Sequence, residues 1–429
     1  MFGFANFLLL ALFAAAVFDL IFALARGGGL RGALHGLWNT PHLLFGQQLA
    51  EWRLQLGRIL FAAGLAAYEI SVVFCNSMAR QNWAWVQGVM SPVLEWLAFL
   101  CFGAKILFGT RYTWRELLAG GALYFIARWV YFNSQNIWWI GIVVAVLAAK
   151  DVSLRRPLQV YFASGCAAMA VVLALHFAGI VAPDLTSERM GALRGTYGYG
   201  HPNTFGGLVF GLVLAYALLR AQKVRWVDCL LVFAVGVFLL VGPASRSAAL
   251  CTLALAVGLV FCRLRAGHSV PCWWPGTCAG MVGLTAAVSY LLPLLVIKVG
   301  PWNNDIGPAW LAKLDSLLTC RISLTWMAYR LLDVKIAGQV FNWPTVDNSF
   351  AFALFQFGPV VAALLGILFA ATLWGHAKQG RRVEVCCLFA MLAYAYMEVQ
   401  PFHLTTNPTA LLLCGAVFAQ TSARWQKIE

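Results

Sequence analysis

Charge is what this sequence has least of. Of its 429 residues only 11% are Asp, Glu, Lys or Arg, and the acidic ones number 16. So few charges cannot cover the surface of a soluble domain of this length, which excludes that class. Period-two alternation is missing too, and the apolar runs are too long for strands, which excludes a transmembrane β-barrel. The 12 cysteines contain no Cys-x-x-Cys pair and no Cys/His metal spacing. They fall mostly within or beside apolar runs and read as small packing residues. No tandem repeat or low-complexity tract is visible.

What is present is apolar. Hydrophobic residues make up 62% of the chain, and the mean hydropathy is +0.78. Runs of about 18–25 apolar residues recur along its length, the pattern of helices that cross a bilayer. The expected class is an all-α polytopic membrane protein with 12–13 transmembrane helices and one large extracytoplasmic loop. The runs lie at 4–25, 57–76, 84–104, 115–132, 137–149, 157–181, 204–220, 226–243, 246–262, 277–298, 348–374, 384–398 and 408–420. The first lacks a basic lead and a clear small-residue cleavage site, so it reads as a span rather than a secretory signal. Residues 31–56 are mixed (Trp38, His42, Glu51, Trp52, Arg53) and read as an interfacial amphipathic helix. Together these predict an N-terminal unit, 1–56, ahead of a core, 57–429.

The net charge of +14 has a topological reading. Basic clusters recur at every second turn: Arg53 and Arg58, Lys105 and Arg111, Lys150 and Arg155, Arg220 and Lys223, Arg263 and Arg265, Arg381 and Arg382, Arg424 and Lys427. That alternation assigns them to the cytoplasm and makes nucleic acid an unneeded partner. The remaining loops, 77–83, 133–136, 182–203, 243–246, 299–347 and 399–407, then face outward. In the longest, Leu314, Leu317, Leu318, Ile322, Leu324 and Trp326 have helical spacing, which predicts an ordered helix near the surface.

Polar side chains gather in those outer loops. Arg194-Gly-Thr-Tyr-Gly-Tyr-Gly-His-Pro-Asn203 combines a cation, an imidazole and glycine-rich turns. Pro202 suits a first helical turn, and Asn203 or Thr204 can cap it. Free N–H groups there make an anion-binding corner, or simply a good helix start beside a surface His201. Arg246, in Gly242-Pro-Ala-Ser-Arg-Ser247, breaks the positive-inside bias. Like Arg194, Arg321 and Arg330 it either binds an anionic group such as a lipid pyrophosphate, or snorkels or pairs with Asp305, Asp315 or Asp333. Val346-Asp-Asn-Ser349 opens a later span. There Asp347 or Asn348 is an N-cap, or Asp347 is a general base. Glu398 is the best placed of the acids in or near spans, ahead of Glu69 and Glu95.

These stretches together resemble the Wzy-type polysaccharide polymerases of the O-antigen polymerase and ligase superfamily. The similarity is to the branch with an R-x(3)-[FY]-G-[FY]-x-H-P-N signature, matched here with one spacing difference by Arg194 to Asn203. Supporting stretches are Ser245-Arg-Ser247, Lys313 to Ser323, Val346 to Ser349 with Phe357-Gly358, and Tyr396-Met-Glu398 with Asn407. They cover about residues 190–410; residues 1–55 have no counterpart. The resemblance implies a metal-independent, cofactor-free, GT-C-like glycosyltransferase in the bacterial cytoplasmic membrane, assembling capsule or exopolysaccharide at the outer face. Its donor is a growing glycan on undecaprenyl pyrophosphate, and its acceptor a sugar hydroxyl of one lipid-linked repeat unit. Membrane lipids, a flippase and a chain-length regulator are the implied partners. Arg194, Arg246 and Arg321 then hold the leaving pyrophosphate, with Asn203, Asn348, Glu398 and Arg330 as further binding residues. Asp347 stands where related ligases carry a catalytic His and is the expected base, with His201 second. An O-antigen-ligase-like transfer and, from another class, a lipid-linked glycan transporter or flippase are the alternatives. The transporter is disfavoured by the absence of a repeat and of polar residues along the midplane.

Overall fold

The computed structural model describes residues 2–25, 29–181, 187–189, 192–296 and 308–418. Its helices are α1 (Phe2–Ala25), α2 (Gly29–Asn39), α3 (Ala50–Cys75), α4 (Ala79–Asn82), α5 (Ser91–Phe108), α6 (Trp114–Ser134), α7 (Ile137–Ala148), α8 (Arg155–Phe177) and α9 (Pro202–Leu219). They continue as α10 (Trp226–Val241), α11 (Arg246–Leu264), α12 (Trp274–Leu291), α13 (Ala309–Leu317), α14 (Arg321–Leu331), α15 (Ser349–Phe352), α16 (Pro359–Lys378), α17 (Arg382–Met397) and α18 (Cys414–Val417). Among the described residues strands are confined to two small antiparallel pairs. β1 (His42–Leu43) pairs with β2 (Arg111–Tyr112), and β3 (Ser187–Arg189) with β4 (Ala192–Arg194).

Among the described residues eight helices are long and apolar enough to cross a membrane: Asn6–Ala25, Ala50–Cys75, Val86–Phe108, Arg155–Phe177, Pro202–Leu219, Arg246–Leu264, Trp274–Leu295 and Pro359–Lys378. Ile137–Ala148, Trp226–Val241 and Pro408–Val417 are apolar but shorter. This is an all-α, multi-pass membrane architecture. Each expected run meets a helix, though not always a whole span. The run at 348–374 is broken at Gly358, whose φ of 88° suits glycine. A methyl group there would run into the carbonyl of Ile336. The break turns α15 and a following π-helical turn, Ala353–Phe357, away from α16.

The segment after α1 also differs from expectation. The segment 31–56 is not one amphipathic helix: α2 ends at Asn39, and α3 begins at Ala50 and runs unbroken past residue 57. Arg53 anchors its first turn by donating to the carbonyls of Phe108, Gly46 and Leu44. Leu8, Leu12 and Ala15 of α1 join the same hydrophobic core as the later helices. In the long loop the expected surface helix is two helices, α13 and α14, parted by Thr319 and Cys320 with φ of 58° and 64°. Residues 297–307, including Asp305, lie outside the described residues.

Two features aim α9 at the site. His201 is its N-cap, and Pro202 occupies the first turn. Glycines then let it approach the 398–406 segment: a methyl group on Gly207 would collide with Gln400 Oε1, and one on Gly211 with the carbonyl of Thr405.

Candidate functional site

Helices α9, α11, α14 and α15 begin, and α17 ends, at one end of the bundle. The polar residues singled out in the sequence meet there. Arg194 closes β4 and is only 6% exposed. The turn after it is pinned to the end of α3: Met78 N–H donates to the Gly198 carbonyl at 2.8 Å, and Tyr199 bridges Ser77. Gly198 adopts a φ of 81°. Tyr197 stacks on Phe205 of α9 with ring centroids 5.0 Å apart.

From Arg194 a chain of hydrogen bonds crosses the bundle end. Arg194 Nη2 donates to Asn203 Oδ1 at 2.9 Å and to the Ala244 carbonyl at 3.1 Å. Asn203 Nδ2 donates to Glu398 Oε1 at 3.1 Å. The same oxygen accepts from Arg321 Nη2 at 2.5 Å. Arg321 Nη1 donates to Thr319 Oγ1 at 2.7 Å and to the Leu318 carbonyl at 3.1 Å. Arg321 Nε faces Asp347 Oδ2 at 3.9 Å, and this buried nitrogen has no hydrogen-bond partner among the described residues. Buried donors are rarely left so, because an unmade bond forfeits the solvation lost on burial.

Capping resolves which neighbours are structural. Asn348 is the N-cap of α15, its Oδ1 accepting from Phe350 and Ala351 N–H at 2.9 and 3.1 Å, while its Nδ2 reaches Ser289 and the Tyr396 carbonyl. Asp347 is therefore free of capping, and its side chain is 31% exposed. At α9, capping falls to His201 instead of Asn203 or Thr204, because Asn203 is engaged by Arg194 and Glu398. His201 Nδ1 accepts from Asn203 N–H at 3.1 Å. The Nδ1 lone pair is thereby engaged in the cap.

The remaining candidates are placed differently. Arg246 begins α11 and is exposed, and its side chain makes no hydrogen bond or ion pair among the described residues. Its neighbours Ala244 and Ser247 meet Arg194 and Glu398 respectively. Arg330 is not part of the cluster; its guanidinium lies 5.4 Å from the centre of the Trp326 ring. Among the described residues Asp315 pairs with no arginine; it holds the start of α14, accepting from Ile322 and Ser323 N–H at 2.7 and 3.2 Å. Among the described residues the acidic partners of Arg321 are Glu398 and Asp347. Sequence reasoning missed the supporting groups Ser289, Thr319 and Gln400. Gln400 joins Tyr394 Oη to the Asn203 carbonyl. Isolated hydroxyls and amides carry no spacing signal; only the position of Gln400 beside Glu398 pointed to it.

Burial sets the electrostatics. It pushes the Glu398 carboxyl up to about 7, against the pull of Arg321. Burial also raises Asp347 above the usual carboxylate range, opposed by Arg321 and His201. The cluster thus joins two buried guanidiniums, one open cation beside them, a half-exposed carboxylate able to accept a proton, and an imidazole that could do so only by giving up its capping bond to Asn203. Such an end can grip an anion and take a proton from a hydroxyl beside it.

Comparison with known protein families, with curated proteins and with solved structures finds no match for this chain. What the fold defines is a polytopic α-helical membrane protein with a compact polar cluster at one end of its helices.

Proposed function

We propose that this end of the bundle transfers glycans from a polyprenyl pyrophosphate, polymerising lipid-linked repeat units as in the Wzy-type enzymes that the sequence resembles. The observation that carries the reading is Arg321: buried, tied to Glu398, and turning an unpaired Nε toward a half-exposed Asp347. A pyrophosphate oxygen would satisfy that donor, and a sugar hydroxyl would fit beside the carboxylate.

In the transfer, the acceptor oxygen attacks the anomeric carbon of the donor glycan. The bond from that carbon to the pyrophosphate oxygen breaks, and the acceptor proton passes to Asp347. The leaving pyrophosphate gains negative charge, which Arg194, Arg321 and Arg246 stabilise. The activated donor supplies the driving force, so no nucleotide is needed at the outer face. Asn203 and Glu398 position the two guanidiniums. In this reading the three shorter apolar helices, with α6 and α17, complete 12–13 spans of a GT-C-like enzyme in the bacterial cytoplasmic membrane, with the cluster facing outward and the basic turns inside.

Purified protein given one defined lipid-linked repeat, with and without a chelator, tests the proposal. A ladder of longer glycans, insensitive to chelator, is expected. A single transfer to a different acceptor would make the protein a ligase. Lipid movement without new glycosidic bonds would make it a transporter.

A further inference from the structure

The opposite end of the bundle holds a second polar concentration. Helices α9, α11 and α17 connect the two ends, and the 18 residues of α9 span about 27 Å. Around the turns after α9, α11 and α16 lie two cavities, of about 430 and 280 Å³. Their walls share Lys223, Arg381 and Glu384. Four cations against one carboxylate line the larger: Lys223, Arg263, Arg381 and Arg382 against Glu384.

These charges are not equivalent. Arg382 is spent on structure, donating to the carbonyls of Arg265, His268 and Ser269 and so shaping one wall. The side chains of Lys223, Arg263 and Arg381 make no hydrogen bond or ion pair among the described residues. A second observation is independent of charge. His376 lines the smaller cavity, is 8% exposed, and its buried Nδ1 has no hydrogen-bond partner among the described residues. Topological sorting would place basic residues on open turns. It requires neither a cavity nor a buried ring nitrogen left without a partner.

We infer that this cavity pair is an anion site for a phosphate group, gripped by Arg263, Arg381 and Lys223 with His376 at its inner wall. Guanidinium forks match phosphate oxygens in a bidentate way, and an imidazole N–H suits one more. The phosphate belongs either to an anionic phospholipid headgroup at the membrane surface or to a soluble phosphate compound. The site does not depend on the transfer reaction proposed for the other end.

The full chain in phosphatidylcholine nanodiscs is titrated with inorganic pyrophosphate, and separately placed in nanodiscs containing phosphatidylglycerol, with bound lipid counted by native mass spectrometry. Arg263→Gln with Arg381→Gln is compared with Arg31→Gln plus Arg58→Gln, which removes as many charges away from the cavities. Both side chains are unbonded among the described residues, so the fold should survive their replacement, and an unchanged melting temperature checks it. A loss of about tenfold or more in pyrophosphate affinity confined to the cavity pair supports a soluble ligand. The same loss confined to retained phosphatidylglycerol supports a lipid headgroup. Equal losses in both pairs, or no binding of either probe by the unaltered chain, overturns the inference.

Discussion

Asp347 and Asn348 are neighbours with different work. Asn348 satisfies the first N–H groups of α15, a task it shares with caps in general. Asp347 is thereby left to face Arg321 across 3.9 Å. If it takes the acceptor proton, Asp347→Asn should lower turnover by about 10²–10⁴-fold while the protein stays folded and inserted. Near-normal turnover in that variant would move the base to His201. Glu398 predicts a pH effect of two signs. Its carboxyl titrates at about 7, raised by burial. Above that it is ionised and holds Arg321 and Asn203; below it the carboxyl takes a proton and releases the guanidinium. Activity should therefore fall as pH drops through 7. The folded state binds this proton more readily than the unfolded chain. Its contribution to stability is therefore present below the ordinary carboxylate range and lost as pH rises through 7. Activity and thermal stability should thus shift in opposite directions, and Glu398→Gln should lower activity and remove both trends near pH 7. Parallel trends in the two measurements would contradict the role given to Glu398.

At the level of elements, α9 brings the site together by lying close to the segment after α17. Gly207 and Gly211 are the points of closest approach. Gly207→Ala forces Gln400 away from Tyr394 and from the Asn203 carbonyl, and overpacking of this kind costs roughly 1–3 kcal/mol. The expected result is a melting temperature several degrees lower, together with reduced activity, in the same detergent; Gly121→Ala, with open space around its added methyl group, should change neither. The elements were legible in the sequence where apolar length alone defines them, as in α8, α9, α11 and α12. They were less legible where a backbone conformation intervenes. Nothing in the apolar run 348–374 announces that Gly358 takes a positive φ against Ile336. Nor does the helical spacing of Leu314 to Trp326 disclose the left-handed Thr319 and Cys320 that aim Arg321 inward.

Over the whole molecule, the polar stretches dispersed from Arg194 to Glu398 converge on one end, while the basic turns occupy the other. That separation was legible because alternating charge follows the chain back and forth across the bundle. The pairing within the cluster was not. Asp305, Asp315 and Asp333 lie nearest Arg321 in sequence, yet its main partner is Glu398, 77 residues on. Only the packing of α14 against the end of α17 could choose between them. Arg330 shows the same limit from the other side, since a plausible cation nine residues from Arg321 stacks on Trp326 instead.

Arg246 offers the most direct test of the central claim. Its side chain is exposed and unbonded within the described residues, so its removal leaves the fold little changed, yet it stands beside the proposed anion grip. The measurement is the length distribution of lipid-linked glycan made by cells carrying Arg246→Ala, alongside the amount of inserted protein. Loss of long polymer with insertion unchanged is the predicted result; a normal length distribution would contradict the account.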